Sequence, residues 1–394
     1  MSFDHSARPR QRDRARQPCA GGVDTIGDGR HDALRVLHVM TRMQPDGTER
    51  QLVGMLRAGH GRLWNATLCV LESGFGLTRQ IAEAGVPVME LAPRERWAGW
   101  YARQLRRFVR SGQFDVVHSS LWGANAFTRL AAAGGRRPAI VVSERRVEDF
   151  RSARRRRLDR ALRHVTDAYI GNSEAVGSFI TVAHDVARER VHVVPNGIDT
   201  EVFLPHEQSR WDPAAGPRRI GAVGRLAHQK GFDILIAALP AVLDHHDVDV
   251  TIIGEGALRR DLEHQARGLP VSFMGRLDSP SEVADFLRSL DLFVMPSRYE
   301  GLPNAVLEAV ACGVRVVATD APGMRAALGS APLVPAEDPH ALAGAITSAL
   351  SGAGEKPRAR IPDFDDVAQA HAQVFRLAYE RHANARAGAT TGAR

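Results

Sequence analysis

Two glutamates eight positions apart stand in the stretch RYEGLPNAVLEAVACG, residues 298–313. Glu300 follows the apolar run LFVMPS, which has the pattern of a buried strand. Gly301 and Pro303 break that strand, and Pro303 suits the first turn of a following helix. Gly313 suits its end. Glu300 therefore belongs to the loop before the helix, and Glu308 to its interior. The helical neighbours of Glu308 are Asn304, Ala305, Ala311 and Cys312, and none is cationic. A buried carboxylate without a partner is costly. Glu308 must pair with a distant arginine, or accept hydrogen bonds from a ligand such as the vicinal diol of a ribose.

A second constellation lies upstream in GAVGRLAHQKGFD, residues 221–233. A strand ends at Gly224, Arg225 follows, and Lys230 and Gly231 precede a helix. Glycine lets a backbone approach a ligand closely. Two cations beside a helix N-terminus make a cradle for phosphate oxygens. The same residues also suit a strand-to-helix turn carrying two solvated cations. The Walker spacing is missing, so this is no P-loop. HVVPNGID, residues 192–199, places Asn196 and Gly197 in a sharp turn after another strand. TIIGEGALRRDLE, residues 251–263, has a glycine pair at a strand end but lacks the third glycine of a dinucleotide fingerprint.

These residues need strands to present them, and short β-branched runs alternate with helical patterns along almost the whole chain. LRVLHVM, ATLCVL, PVMEL, FDVVHSS, AIVVSE, DAYIGNS and VHVVPNG form a first series. RIGAVGR, VDVTIIG, VSFMG, DLFVMPS and VRVVATD form a second. Such alternation predicts βαβ units and parallel sheets. The expected organisation is an N-terminal domain over 33–199, a linker over 200–218 and a C-terminal domain over 219–365. A helix over 366–385 and a frayed tail over 386–394 follow. Residues 1–32 are polar and Arg-rich and are expected to be disordered. In open α/β sheets ligands bind beyond the carboxyl ends of the strands. Two doubly wound Rossmann-like domains facing across a cleft would bring both constellations there.

Composition narrows the function classes. The 394 residues are 44% hydrophobic and 25% charged, ordinary for a globular chain. Three cysteines, Cys19, Cys69 and Cys312, make neither a disulfide framework nor a metal cluster, which suits a cytoplasmic enzyme without a metal. The arginine-bearing N-terminus lacks the apolar core of a secretory signal. The net charge of +7 admits nucleic acid, an anionic membrane surface or a phosphorylated substrate as partner.

VVPNGIDTEVF, VGRLAHQKGFD, IIGEG, MPSRYEGLPNAVLEAVACG and VVATDAPG, taken in this order, resemble the retaining glycosyltransferases of glycosyltransferase family 4 that build bacterial cell-surface polysaccharides. The resemblance runs from residue 34 to about 383 and implies the GT-B fold. It implies a UDP- or GDP-linked nucleotide sugar as donor and a glycan or polyprenyl-diphosphate-linked acceptor. It implies no cofactor and no metal. By the same resemblance Arg225, Lys230 and Glu300 are catalytic, with both cations on the diphosphate and Glu300 facing the donor sugar. Glu308 takes the ribose, and Gly224, Asn196, Gly301, Leu302 and Pro303 line the donor site. QPDGTERQL, residues 44–52, resembles the family's G-G-x-E-R loop, with Asp46 in place of the first glycine and Gly47 retained. Relatives carry H-x-H where this chain has His118 and Ser120, so His118 is a catalytic candidate, with a core histidine as its other reading. Ala326 stands where relatives often have glutamate.

Two basic segments, RERWAGWYARQLRRFVR over 94–110 and RSARRRRLDRALRH over 151–164, suit either an anionic membrane surface or ordinary packing with a solvated polar face. The first aligns Trp97, Tyr101, Leu105 and Phe108 on one face. Rival functions are a sugar-nucleotide epimerase of related architecture and a non-catalytic nucleotide or polyanion binder. No aromatic-basic module for specific nucleic-acid readout is present.

Overall fold

The computed structural model describes residues 33–73, 76–92, 98–135, 137–147, 151–205, 216–277, 279–329, 331–352 and 361–391. The expectations for residues 1–32, Cys19, Trp97, most of the linker and the last three residues lie outside them. Residues 33–394 form one compact unit.

Seven strands build the first sheet: β1 Arg35–Met40, β2 Asn65–Glu72, β3 Val88–Ala92, β4 Val116–Ser120, β5 Ala139–Glu144, β6 Ala168–Gly171 and β7 Val191–Val193. Their order is 3-2-1-4-5-6-7, and every pairing is parallel. Five strands build the second: β8 Arg218–Val223, β9 Val248–Ile253, β10 Val271–Met274, β11 Leu292–Met295 and β12 Val316–Ala318. Their order is 10-9-8-11-12, again parallel. In both sheets the strand order reverses beside the first strand, between β1 and β4 and between β8 and β11. Those two switch points open the crevices where α/β sheets bind ligands.

Helices cross between the strands. The first domain has α1 Gly47–Gly59, α2 Leu77–Glu83, α3 Ala98–Val109, α4 Trp122–Ala132, α5 Ala153–Ala161 and α6 Glu174–His184. The second has α7 Phe232–Leu243, α8 Arg259–Gln265, α9 Pro280–Arg288, α10 Asn304–Ala311, α11 Met324–Leu328 and α12 Pro339–Leu350. The chain closes with α13 Phe364–Thr391.

Alternate residues of a strand face opposite sides, and the first sheet uses both. Val36 and Met40 of β1 join a core with Leu56 and Trp64, while Leu37 and Val39 join the other with Leu105 and Ile140. Val367, Ala372, Phe375 and Ala378 of α13 lie in the former core, so the last helix belongs to the first domain although it follows the second in sequence. It also runs through residues 386–391, where fraying was expected. The alanine-rich sequence ANARAGA favours that continuation. The return path is pinned where Ile198 bridges Asp363, which sets the two interdomain crossings side by side. Phe203, at the start of the expected linker, is buried in the second domain's core.

α3 answers one of the two basic segments. Tyr101 and Leu105 are buried against the sheet, so its apolar face is occupied by the fold. α5 is different. Arg154, Arg155, Arg156, Arg157 and Arg160 are all exposed, while the buried Asp159 anchors the helix through Arg129 at 2.6 Å and Arg151 at 2.8 Å. Among the described residues no helix is long and apolar enough to cross a membrane.

Candidate functional site

The loops after β1, β8 and β11 carry most of the chemistry, and all three leave carboxyl ends at the switch points. After β8 the chain turns through Gly224 and Arg225 to Lys230. A Cβ on Gly224 would stand 3.1 Å from the Lys230 Cε, so the glycine makes room for the lysine stem. After β11 the chain passes Ser297 and Glu300 and enters α10. Lys230 Nζ donates to Glu300 Oε1 at 2.6 Å, and Ser297 Oγ donates to the same oxygen at 2.9 Å. Gln229 Nε2 reaches Glu300 Oε2 at 3.4 Å. Glu300 is 7% exposed, so a buried carboxylate holds the lysine by a charge-assisted bond.

Arg225 lies apart from that pair. It is exposed, and its side chain has no hydrogen-bond or ion-pair partner among the described residues. Its charge acts on Glu49, in the first turn of α1 across the cleft. Burial pushes Glu49 up to about 7, with Asp46 adding to the rise and Arg42 and Arg225 opposing it.

Glu308 lines a cavity of about 170 Å³ together with Arg50, Gln51, Gly197, Asn304 and Phe364. Its side chain is partly exposed and has no hydrogen bond or ion pair among the described residues. Burial pushes its carboxyl up to about 7 against the pull of Arg50 and Lys230. The structural ion pair with a distant arginine is therefore not formed. The carboxylate stays available to a ligand.

The two domains meet through backbone and amide contacts. Asn196 is 4% exposed and donates to Leu302 O at 3.0 Å and Asn304 Oδ1 at 2.7 Å. Asn304 Nδ2 donates to Gly47 O at 3.2 Å. Gln51 donates to Gly197 O at 2.7 Å and accepts from Gly197 N at 2.9 Å. A Cβ on Gly301 would stand 1.9 Å from Arg145 O, far inside contact distance, so only glycine fits there. Leu302 is 6% exposed in the second domain's core, and Pro303 caps α10. Arg276 donates to Pro45 O at 2.7 Å and to Asp46 Oδ1 at 3.3 Å. The aspartate that replaces a glycine thus has a cation to meet across the cleft.

His118 is a site candidate that the structure buries. It is 1% exposed, with Nδ1 3.0 Å from His38 Nδ1 and Nε2 2.7 Å from Ser143 Oγ. His371 and Phe375 of α13 pack on its ring. Burial and the neighbouring His38 and His371 hold its pKa well below the usual histidine range. Both ring nitrogens are engaged, and His118 packs as a neutral buried residue under α13, the second of its two readings. Its position explains this: His118 shares the strand face of Val116, which looks into the α13 core.

Sequence reasoning gave no individual role to Glu49, Arg50, Gln51, Asn304 or Arg145, and read the first three only within the loop at 44–52. Glu49 and Arg50 carry a signal, since they are the E-R of the loop at 44–52. Arg145 follows a strand end. Gln51 and Asn304 carry none, because their partners are about 146 and 257 positions away.

Comparison with known proteins agrees with both halves. A family model described as Glycosyltransferase Family 4 matches residues 45–202, and one described as Glycosyl transferases group 1 matches residues 217–352. The putative glycosyltransferase EpsF of Bacillus subtilis is 30% identical over 239 residues, 56% of this chain and 61% of that one. A GDP-mannose-dependent phosphatidylinositol dimannoside mannosyltransferase of Mycobacterium tuberculosis is 38% identical over 132 residues, 32% of this chain and 34% of that one. The chain thus spans less than two thirds of both relatives. The structure of Anabaena Alr3699/HepE with UDP and glucose superposes with a TM-score of 0.68 at 19% identity, covering 92% of this chain and 100% of that one. That likeness shows the GT-B fold.

Proposed function

The chain belongs to the glycosyltransferases with a family 4 first domain and a group 1 second domain, and from that premise we propose that it moves a sugar from a nucleoside-diphosphate donor to an acceptor with retention of anomeric configuration. The observation that carries this reading is Glu308: a partly exposed carboxylate, without a side-chain partner among the described residues, on the wall of a cavity between the two domains. A ribose offers two hydroxyl donors to one carboxylate. The helix that bears Glu308 is entered through the loop whose Glu300 holds Lys230.

The chemistry follows from charge. As the bond from the anomeric carbon to the diphosphate breaks, negative charge grows on the leaving phosphate. Arg225, Lys230 and the first amides of α7 stabilise it, and fixed charges of this kind reduce a barrier without reorganisation. The acceptor oxygen attacks from the leaving-group face, bonds to the anomeric carbon and gives its proton to a phosphate oxygen. No side chain acts as general base, and turnover needs no divalent metal. The donor base is uracil or guanine: HepE is seen with UDP, and the mycobacterial relative is named for GDP-mannose. The acceptor is a glycan or a polyprenyl-diphosphate-linked glycan of the cell envelope, reached at an anionic membrane surface through the exposed arginines of α5.

A thermal-shift titration with UDP, GDP, ADP and CMP in EDTA tests the reading. At a ligand concentration one hundred times Kd, binding adds about 2.7 kcal/mol. One nucleoside diphosphate is expected to raise the melting midpoint selectively. No shift with any of them overturns the reading.

A further inference from the structure

Arg145 follows β5 at the carboxyl edge of the first sheet. Its backbone oxygen accepts from Asn172 Nδ2 at 3.1 Å and fills the space that a side chain on Gly301 would need. Its guanidinium reaches Asn196, whose Nδ2 donates to Leu302 O, so it stands near the Glu300–Gly301–Leu302 loop, where Lys230 bonds Glu300. The only bond of that guanidinium among the described residues is Nη1 to Asn196 Oδ1 at 3.3 Å, and Nε is buried without a partner. No carboxylate pairs with it among the described residues.

Arg145 as a whole is partly exposed, and the chain's fully buried arginines are handled differently. Arg129 is fully buried and bonds Asp159 at 2.6 Å; Arg151 is 1% exposed at its side chain and bonds Asp159 at 2.8 Å and Glu144 at 3.1 Å. Removing a cation from water costs several kcal/mol unless an anion compensates it. At Arg145 the fold supplies a neutral amide oxygen instead. Burial accordingly pulls its pKa down to about 10, which still leaves it charged at neutral pH. Asn172, bonded to the same residue, has a buried Oδ1 that also lacks a partner. A cation without a carboxylate and an acceptor without a donor, side by side at the carboxyl edge of the first sheet, suit a ligand that brings both an anion and a donor hydroxyl.

We propose that Arg145 is an anion-binding residue of the cleft, its guanidinium taking a phosphate oxygen either of the donor's diphosphate or of a phosphate borne by the acceptor. A guanidinium presents parallel donors that fit phosphate oxygens as a fork. The proposal rests on the glycosyltransferase reading for the source of the phosphate, and on the protein's own geometry for the site.

The test uses Arg145→Gln and Arg145→Lys in the full chain. Each variant is melted without ligand, then titrated with UDP and GDP, with uridine and guanosine, and with inorganic phosphate in the presence and absence of saturating nucleoside diphosphate. Expected is a ligand-free Arg145→Gln that melts at or above wild type, since a partly buried charge with no carboxylate partner among the described residues has been removed. If the donor supplies the phosphate, its nucleoside diphosphate affinity falls at least tenfold while nucleoside affinity holds. If the acceptor supplies it, donor affinity holds and inorganic phosphate binding is lost. Arg145→Lys, which keeps the charge but not the fork, falls between. Unchanged affinity for both probes overturns the proposal, as does a ligand-free variant that melts well below wild type or does not fold. A wild type that binds no nucleoside diphosphate sinks the proposed function instead, and phosphate binding without nucleotide still decides Arg145.

Discussion

Glu308→Gln is expected to move stability and donor affinity in opposite directions. Burial lifts the Glu308 carboxyl from the ordinary 4.5 to about 7. A rise of that size corresponds to about 3 kcal/mol of unfavourable ionisation. Partial exposure to the cavity reduces this to about 1–2 kcal/mol by solvent screening. The unfolded chain releases this proton near 4.5 and the folded chain near 7. The folded state therefore binds the proton more tightly and loses stability as pH rises across that window. Glutamine removes the charge and with it that slope. The variant should melt above wild type at pH 8 and together with it below pH 4.5. Nucleotide binding runs the other way. Two ribose hydroxyls donating to a carboxylate are each worth about 1.5 kcal/mol or more, so the variant should bind its nucleoside diphosphate more weakly by about a hundredfold or more at pH 8. Wild-type affinity should rise from pH 6 to pH 8, and the variant's should stay flat. Calorimetric titration with the ribonucleotide and its 2′-deoxy analogue separates the ribose contact from general effects. The deoxy analogue should lose affinity against wild type but not against the variant. A variant with wild-type affinity, or one destabilised at pH 8, would refute the argument that Glu308 is kept unpaired for a ligand.

Three further outcomes follow from the same geometry. Arg225→Ala and Lys230→Ala should each lower kcat about a hundredfold or more, but only Lys230→Ala should also lower the melting midpoint, because it leaves the buried Glu300 without its cation; equal stability in both variants would contradict the pairing. Gly301→Ala places a carbon 1.9 Å from Arg145 O, so a loss of 3 kcal/mol or so in urea unfolding is expected, and a wild-type midpoint would mean that the domains do not meet there. Replacing Arg154, Arg155 and Arg157 with glutamine should abolish salt-sensitive binding to vesicles of anionic lipid while turnover of a water-soluble acceptor persists; vesicle binding by the triple variant equal to wild type would remove α5 from the membrane reading.

Much of this protein is local and was therefore legible in the chain. Short β-branched runs separated by helical patterns gave both parallel sheets, since strands covered by helices on both faces read as continuous apolar runs. Gly224, Arg225, Lys230, Glu300 and Glu308 were legible because they sit in short stretches where a strand ends and a helix begins, and such ends are where open α/β sheets bind ligands. What the sequence could not decide depends on partners far away along the chain. Lys230 meets Glu300 across 70 positions, and Gln51 meets Gly197 across 146. His118 follows a cleft-like motif yet faces the core, because α13 returns from the second domain to cover that side of the first sheet. Arg145 reads as one more arginine in an arginine-rich chain until the fold withholds a carboxylate from it. Residue type and spacing determined which groups are present at the strand ends; the return of α13 and the closure of one domain on the other decided which of them are paired, which are buried and which remain for a ligand.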